Sequence, residues 1–162
     1  MTGGFFRKAK NYKGNDNWNT QSKDWLSIKD FIPTDKVIWC PFYGDGKQKE
    51  HFKNMGFDIV QEKEDFFDND KGDVVIDNIP FSIKRLVIER LKELNKPFIV
   101  IMPLEVLCYN YYQSFLADTQ LIIPKNRMNF IKPDNTLQKF KYECIYFCWK
   151  MNLKNDLNLI DN

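Results

Sequence analysis

Residues that bind metals or carry covalent chemistry are scarce in this sequence. There is a single histidine, His51, and there are four cysteines, Cys40, Cys108, Cys144 and Cys148, with no C-x-x-C pair among them. That set offers little for a zinc site, so no metal is expected. Unpaired thiols of this kind suit a reducing setting, cytosolic or nuclear. Long hydrophobic runs are missing too. No stretch approaches the ~20 apolar residues of a membrane span, and the first residues are polar and basic rather than the apolar core of a secretory signal. Charge of one sign is also in short supply: Lys and Arg number 24 against 22 Asp and Glu, a net +2. That is too small a surplus to require a nucleic-acid partner on its own.

Aromatic residues are abundant, with 14 Phe, 7 Tyr and 4 Trp in 162 residues. Most of them are expected in the core of one globular domain, leaving some as stacking surfaces for a planar ligand. The cations fall in local runs: Arg7, Lys8, Lys10 and Lys13, then Lys84, Arg85, Arg90 and Lys92, then Lys125, Arg127 and Lys132. Each run is first of all a solvated face.

Residues 1–16 show little apolar periodicity and read as a flexible arm. A short helix follows from Trp25 to Ile32, closed by Pro33. Apolar runs at 36–40, 57–61, 73–77, 98–102, 121–123 and 143–149 read as strands. Helical spacing predicts helices over 48–54, 82–95 and 104–117. Residues 124–142 read as a long polar connection, and 152–162 as a polar tail that frays. The domain therefore spans 17–151. Strands alternating with helices predict an α/β fold with a mostly parallel, doubly wound sheet. Ligands of such sheets bind outside the carboxyl ends of the strands.

Three of those strand ends carry the residues most suited to chemistry. After the first comes Pro41-Phe42-Tyr43-Gly44-Asp45-Gly46, which opens a helix. Its glycines permit close backbone approach to a ligand, and the helix start offers N–H groups. After the second comes Glu62-Lys63-Glu64-Asp65-Phe66-Phe67. A carboxylate there, Glu62 first, is placed to accept hydrogen bonds from ribose hydroxyls. Asp65 can take an adenine amino group, and Phe66 can cover its ring. After the third comes Asp77-Asn78-Ile79-Pro80-Phe81. The Asn78 amide oxygen and the Ile79 carbonyl can both accept from one exocyclic amine, which directs the nitrogen lone pair outward. Pro80 stiffens the turn, and Phe81 can stack on a flat base. The plain alternatives are a strand-to-helix turn, an acidic loop over a Phe pair, and a strand end leading into a helix.

The order P-F-Y-G-D-G, E-D-F-F, D-N-I-P-F-S and K-P-F-I-V-I-M-P resembles the adenine-N6 amino-methyltransferases, most closely the small phage- and virus-type DNA adenine methyltransferases. The resemblance covers roughly residues 15–150. Asn15-Asp16-Asn17-Trp18-Asn19-Thr20 looks like that group's amino-terminal D-x-W-x-T-P signature, with Gln21 in place of the proline. Arg127-Met128-Asn129-Phe130 looks like its late R-x-x-F element. The resemblance implies a Rossmann-like fold with an abbreviated sheet and an antiparallel last strand. It implies S-adenosyl-L-methionine (AdoMet) as cofactor, with Gly44, Asp45 and Gly46 at the methionine part, assisted by Trp18 and Thr20. Glu62 would take the ribose and Asp65 with Phe66 the adenine, while Asn78 to Phe81 would hold the target amine. Ile79 stands where the family's usual motif has proline. A backbone carbonyl needs no proline ring, and a similar N-I-P-F or N-L-P-Y occurs in the adenine dimethyltransferases of ribosomal RNA.

The reaction so implied is direct transfer to an adenine swung out of its strand. Flipping a paired base costs a few kcal/mol, and one aromatic stack returns about 1–3 kcal/mol. Phe81 alone barely offsets the flip. Further contacts would fall to the amino-terminal arm, to the loop after Phe81 with Lys84, and to residues 124–142 with Lys125 and Arg127. With no room for a separate recognition domain, either specificity is modest, or a homodimer or a protein partner supplies it. The alternatives are the same chemistry on RNA and a non-catalytic subunit of the same fold that binds a partner.

Overall fold

The computed structural model describes residues 16, 18–139 and 141–162. The expected flexible arm, apart from Asp16, and its basic run at Arg7–Lys13 lie outside the described residues. In chain order the strands are β1 (Asn19–Thr20), β2 (Ile38–Trp39), β3 (Ile59–Val60), β4 (Val74–Asn78) and β5 (Phe98–Pro103). They continue as β6 (Thr119–Pro124), β7 (Asn129–Ile131), β8 (Leu137–Lys139), β9 (Cys144–Trp149) and β10 (Leu157–Ile160). The α-helices are α1 (Ser22–Ser27), α2 (Lys47–Asn54) and α3 (Lys84–Leu94).

Seven strands form one mixed sheet in the order β10-β6-β9-β5-β4-β2-β3. All run parallel except β9, which is antiparallel to both β5 and β6. Side chains alternate across the sheet with period two. Val74, Ile76, Ile99, Ile101, Tyr146 and Cys148 face a core shared with Trp25 and Phe52 from α1 and α2. Val75, Phe98, Val100, Phe147 and Trp149 face a second core with Val87, Ile88 and Leu91 of α3. The sheet is covered on both faces, and the carboxyl ends of its parallel strands share one edge. There β1, β7 and β8 form a small antiparallel sheet, with Thr20 opposite Phe130.

Several elements differ from the sequence reading. The segment 104–117 is two 3-10 runs, Leu104–Cys108 and Asn110–Asp118, rather than an α-helix. Val106, Tyr109, Tyr112 and Phe115 recur at intervals of three, which brings them onto one face only at three residues per turn. The 124–142 connection contains the β7–β8 hairpin, turned at Asn135 with φ 65. Asp134 Oδ1 accepts from the Thr136 N–H at 2.9 Å and helps set that turn.

The tail does not fray. β10 pairs in parallel with β6, placing Leu157 opposite Leu121 and Ile160 opposite Pro124. Asn162 accepts from the Asn126 N–H at 2.9 Å and donates to Asp24 Oδ1 at 3.2 Å. Asp24 is fully buried, and burial pushes its carboxyl above the usual range. Ending the chain after residue 155 should therefore lower the melting temperature by about 5–15 °C, from a loss of roughly 2–4 kcal/mol in hydrogen bonds and packing. Calorimetry of the truncated chain checks this.

Among the described residues no helix is long and apolar enough to cross a membrane, and no group of His, Cys, Asp and Glu could hold a metal ion. The four cysteines are free thiols, and only Cys108 is exposed.

Candidate functional site

The loops after β2, β3 and β4 meet the β1 segment around a cleft of about 570 Å3. That volume lies within the usual range for small-molecule sites. Trp18 and Thr20 form one wall, and Pro41, Phe42, Tyr43, Gly44 and Asp45 form another. Asp65 and Phe66 come from the loop after β3, and Asn78 and Pro80 from the end of β4. The structure thus gathers these residues, far apart in sequence, around one space.

Asp77 holds the wall together. Its Oδ2 accepts from the Phe42 N–H at 2.8 Å, and its Oδ1 from the Asn78 N–H at 2.8 Å and the Gln48 amide at 3.1 Å. Asp77 is almost fully buried. Burial pushes its carboxyl up to about 8, against the three donors, which lower it. Gln61 fastens the other side of the same loop. It donates to the Tyr43 carbonyl at 3.1 Å and accepts from the Lys49 N–H at 2.9 Å. Gly46 begins α2 at φ 79, and a Cβ there would lie 2.7 Å from the Tyr43 hydroxyl. Only glycine takes that turn without displacing the tyrosine.

The Asn78 amide is oriented by its partner. Its Nδ2 donates to the Trp18 carbonyl at 3.0 Å. A carbonyl can only accept, so this bond fixes which end of the amide is oxygen. Oδ1 has no hydrogen-bond partner among the described residues. Trp18 in turn lies under Lys132, whose ammonium is 5.6 Å from the indole. Asp16 steadies the far end of the turn, its Oδ2 accepting from the Ser82 N–H at 2.9 Å and the Ser82 hydroxyl at 2.5 Å.

Other expected residues are placed differently. Glu62 is off the cleft wall. Its carboxylate is paired with Lys71, which holds it below the usual range. Glu64, two residues on, lines the cleft and reaches the same Lys71 at 2.5 Å. Phe66 is 3% exposed, packed against Trp39, Phe42 and Phe67, so it offers the cleft little of its ring. Asp65 spends one oxygen capping the turn at the Phe67 N–H, at 2.8 Å. Ile79 is buried in the core on the α3 side. Phe81 stands edge-on to Phe130, with centroids 6.5 Å apart. It lines a second cavity of about 10 Å3 with Asp16, Trp18, Asn78, Ile79 and Phe130. That space admits roughly one water, not a base.

The three expected nucleic-acid contacts are all outside the cleft. Lys84 donates to the Phe81 carbonyl at 3.2 Å and stands over Tyr109. Lys125 pairs with Asp161, and Arg127 with Glu143. They follow β4 and β6, on the edge of the sheet that carries the cleft.

Asp77 and Asp16 carry no mark in the sequence as site-building residues, although both stand within segments that point to the site. Gln48 and Gln61 carry no local signal, because their partners are set by the tertiary fold. Thr20 adds one more mark. Thr20 lines the cleft, and its side-chain oxygen is buried with no hydrogen-bond partner among the described residues. A buried polar atom without a partner costs free energy unless a ligand satisfies it. No protein-family model matches this chain, and no curated protein matches it either.

Proposed function

We propose that the chain is an abbreviated Rossmann-like AdoMet-dependent methyltransferase that methylates the N6 amine of adenine in DNA. The observation that carries this is the Asn78 amide, pinned through Nδ2 where the two cavities adjoin, its Oδ1 without a hydrogen-bond partner among the described residues. An acceptor held in that way suits an exocyclic amine.

The cleft fits the cofactor. The exposed Gly44 and Asp45 leave room for a polar, elongated ligand beside Thr20, whose buried hydroxyl has no hydrogen-bond partner among the described residues, and Asp45, Glu64 and Asp65 offer carboxylates to the ligand's amine and hydroxyls. Bound AdoMet supplies an electrophilic methyl group on a sulfonium. The protein's own work is orientation. Asn78 Oδ1 and the Ile79 carbonyl accept from the two hydrogens of the amine, turning its lone pair toward the cleft. Pro80 limits the turn's freedom, and Asp77 holds the 41–46 loop to the strand end that carries Asn78. For a base to enter, Phe81 must swing away from Phe130, and its ring is then free to stack.

RNA as substrate requires no change in these roles. The small size of the cavity beside Phe81 and the pairing of Glu62 with Lys71 favour a second reading, a methyltransferase-fold subunit that binds a partner without catalysis. Transfer of a tritiated methyl group to DNA and RNA oligonucleotides, with mass analysis of the product base, tests the proposal. N6-methyladenine is the expected product, and no transfer to any substrate would sink catalysis.

Thr20→Val gives a narrower check on the cofactor cleft. Losing one hydrogen bond should weaken AdoMet binding by about 3–10-fold. The melting temperature of the free protein should stay level or rise, because a buried unpaired hydroxyl is gone. Unchanged affinity by calorimetry would remove Thr20 from the site.

A further inference from the structure

Beyond the Phe81 turn, the edge of the sheet carries aromatic rings interleaved with cations. Tyr109 and Tyr111 lie with centroids 5.5 Å apart. The Lys84 ammonium is 5.6 Å from the Tyr109 ring, and the Arg85 guanidinium is 6.0 Å from Tyr111. Next to them opens a groove of about 450 Å3, whose walls include Leu107, Cys108, Lys141 and Tyr142. Lys141 stands 5.4 Å from the Tyr142 ring. Lys84 joins this shelf to the site, since it also donates to the Phe81 carbonyl. Tyr109 is held in place by its hydroxyl, which donates to Glu105 at 2.8 Å.

We propose that this shelf and groove bind an unpaired polynucleotide strand beside the target base. The proposal rests on the reading that the 78–81 turn receives that base. Ring faces of Tyr stack on any base but only on one that is not already stacked in a duplex. The cations that lie over the rings supply the phosphate contacts once bases take those faces. The charge surplus is small: Lys84, Arg85, Arg127 and Lys141 stand against Glu89, Glu105 and Glu143, four positive and three negative. Binding must therefore lean on stacking more than on phosphate attraction, which again selects unpaired strands. Such a strand also delivers its adenine without the unstacking cost that a duplex imposes.

The test is fluorescence anisotropy of the full chain with labelled single-stranded DNA, single-stranded RNA and duplex DNA of one sequence. At least one single strand should bind roughly tenfold tighter than the duplex, and the tighter of the two names the sugar. Tyr109→Ala with Tyr111→Ala should weaken that binding by about tenfold or more, while the paired Phe variants keep it. Equal binding of duplex and single strands, or unchanged binding by the Ala pair, would overturn the proposal. If the Ala pair does not fold by its melting curve, Lys84→Gln with Lys141→Gln decides. These should weaken strand binding several-fold and flatten its salt dependence, and no change in either overturns it. Calorimetry with AdoMet separates the two levels. A chain that binds AdoMet without preferring unpaired strands refutes the track and leaves methyl transfer standing. Preference for unpaired strands without AdoMet binding upholds the track and refutes the transferase.

Discussion

Replacing Asn78 by alanine should reduce methyl transfer by about 10²–10³-fold while AdoMet affinity stays within about twofold. The size follows from what one preorganised polar group is worth where charge develops in a transition state. Asn78 Oδ1 has no hydrogen-bond partner among the described residues, and its orientation is maintained by the Nδ2 bond to the Trp18 carbonyl. Alanine removes both the acceptor and its anchor. It leaves intact the walls built by Phe42, Tyr43 and Gly44, which lie on a different loop. Asn78→Asp provides the control. An ionised carboxylate cannot donate to the Trp18 carbonyl, so the acceptor is kept but its orientation is lost, and activity should fall by at least about tenfold. Full activity in Asn78→Ala, measured as tritium transferred to an oligonucleotide, would remove Asn78 from catalysis. Loss of AdoMet binding together with activity would make it an architectural residue instead.

How far the sequence reveals this arrangement depends on how local each signal is. The core strands β4, β5 and β9 are legible as unbroken apolar runs, because burial on both faces demands them. Helix α3 shows its apolar stripe, although its first turn is 3-10 at Phe81–Ile83. β10 was hidden because Leu157 and Leu159 alternate with polar residues at the sheet edge, leaving Leu159 82% exposed. In the site, the loops after β2, β3 and β4 are marked by glycine, proline and acidic residues that need no partner to be noticed. Which carboxylate faces the cleft is a different matter. Glu62 and Glu64 are alike in sequence, and both reach Lys71, so only the path of the chain puts Glu64 on the wall. Phe66 and Phe81 illustrate the same limit. An aromatic at a strand end can cover a ligand or fill a core, and both rings here pack against other aromatics.

Asp77 should make the protein less stable as pH rises. Burial raises its carboxyl from 3.8 to about 8, so the folded chain retains a proton that the unfolded chain releases. The stability this contributes is fully present below about pH 4 and is lost as pH rises toward and through 8. Between pH 5 and 8.5 the melting temperature of the wild type should therefore fall further than that of Asp77→Asn, which cannot titrate. The asparagine variant should be the less stable of the two at pH 5, because its NH2 faces a donor, either the Phe42 N–H or the Gln48 amide and Asn78 N–H. That gap should narrow toward pH 8.5. Asp77→Ala goes further, since it strips the acceptor from three donors at once. A loss of roughly 3–5 kcal/mol follows at pH 7, or about 10–15 °C in melting temperature for a chain of this size. The same change frees the 41–46 loop from the end of β4, so AdoMet affinity should drop with stability. That pairing is opposite to Thr20→Val, which weakens binding without loosening the fold. Parallel melting curves for wild type and Asp77→Asn across this pH range would show that Asp77 keeps its charge in the fold, held by its three donors.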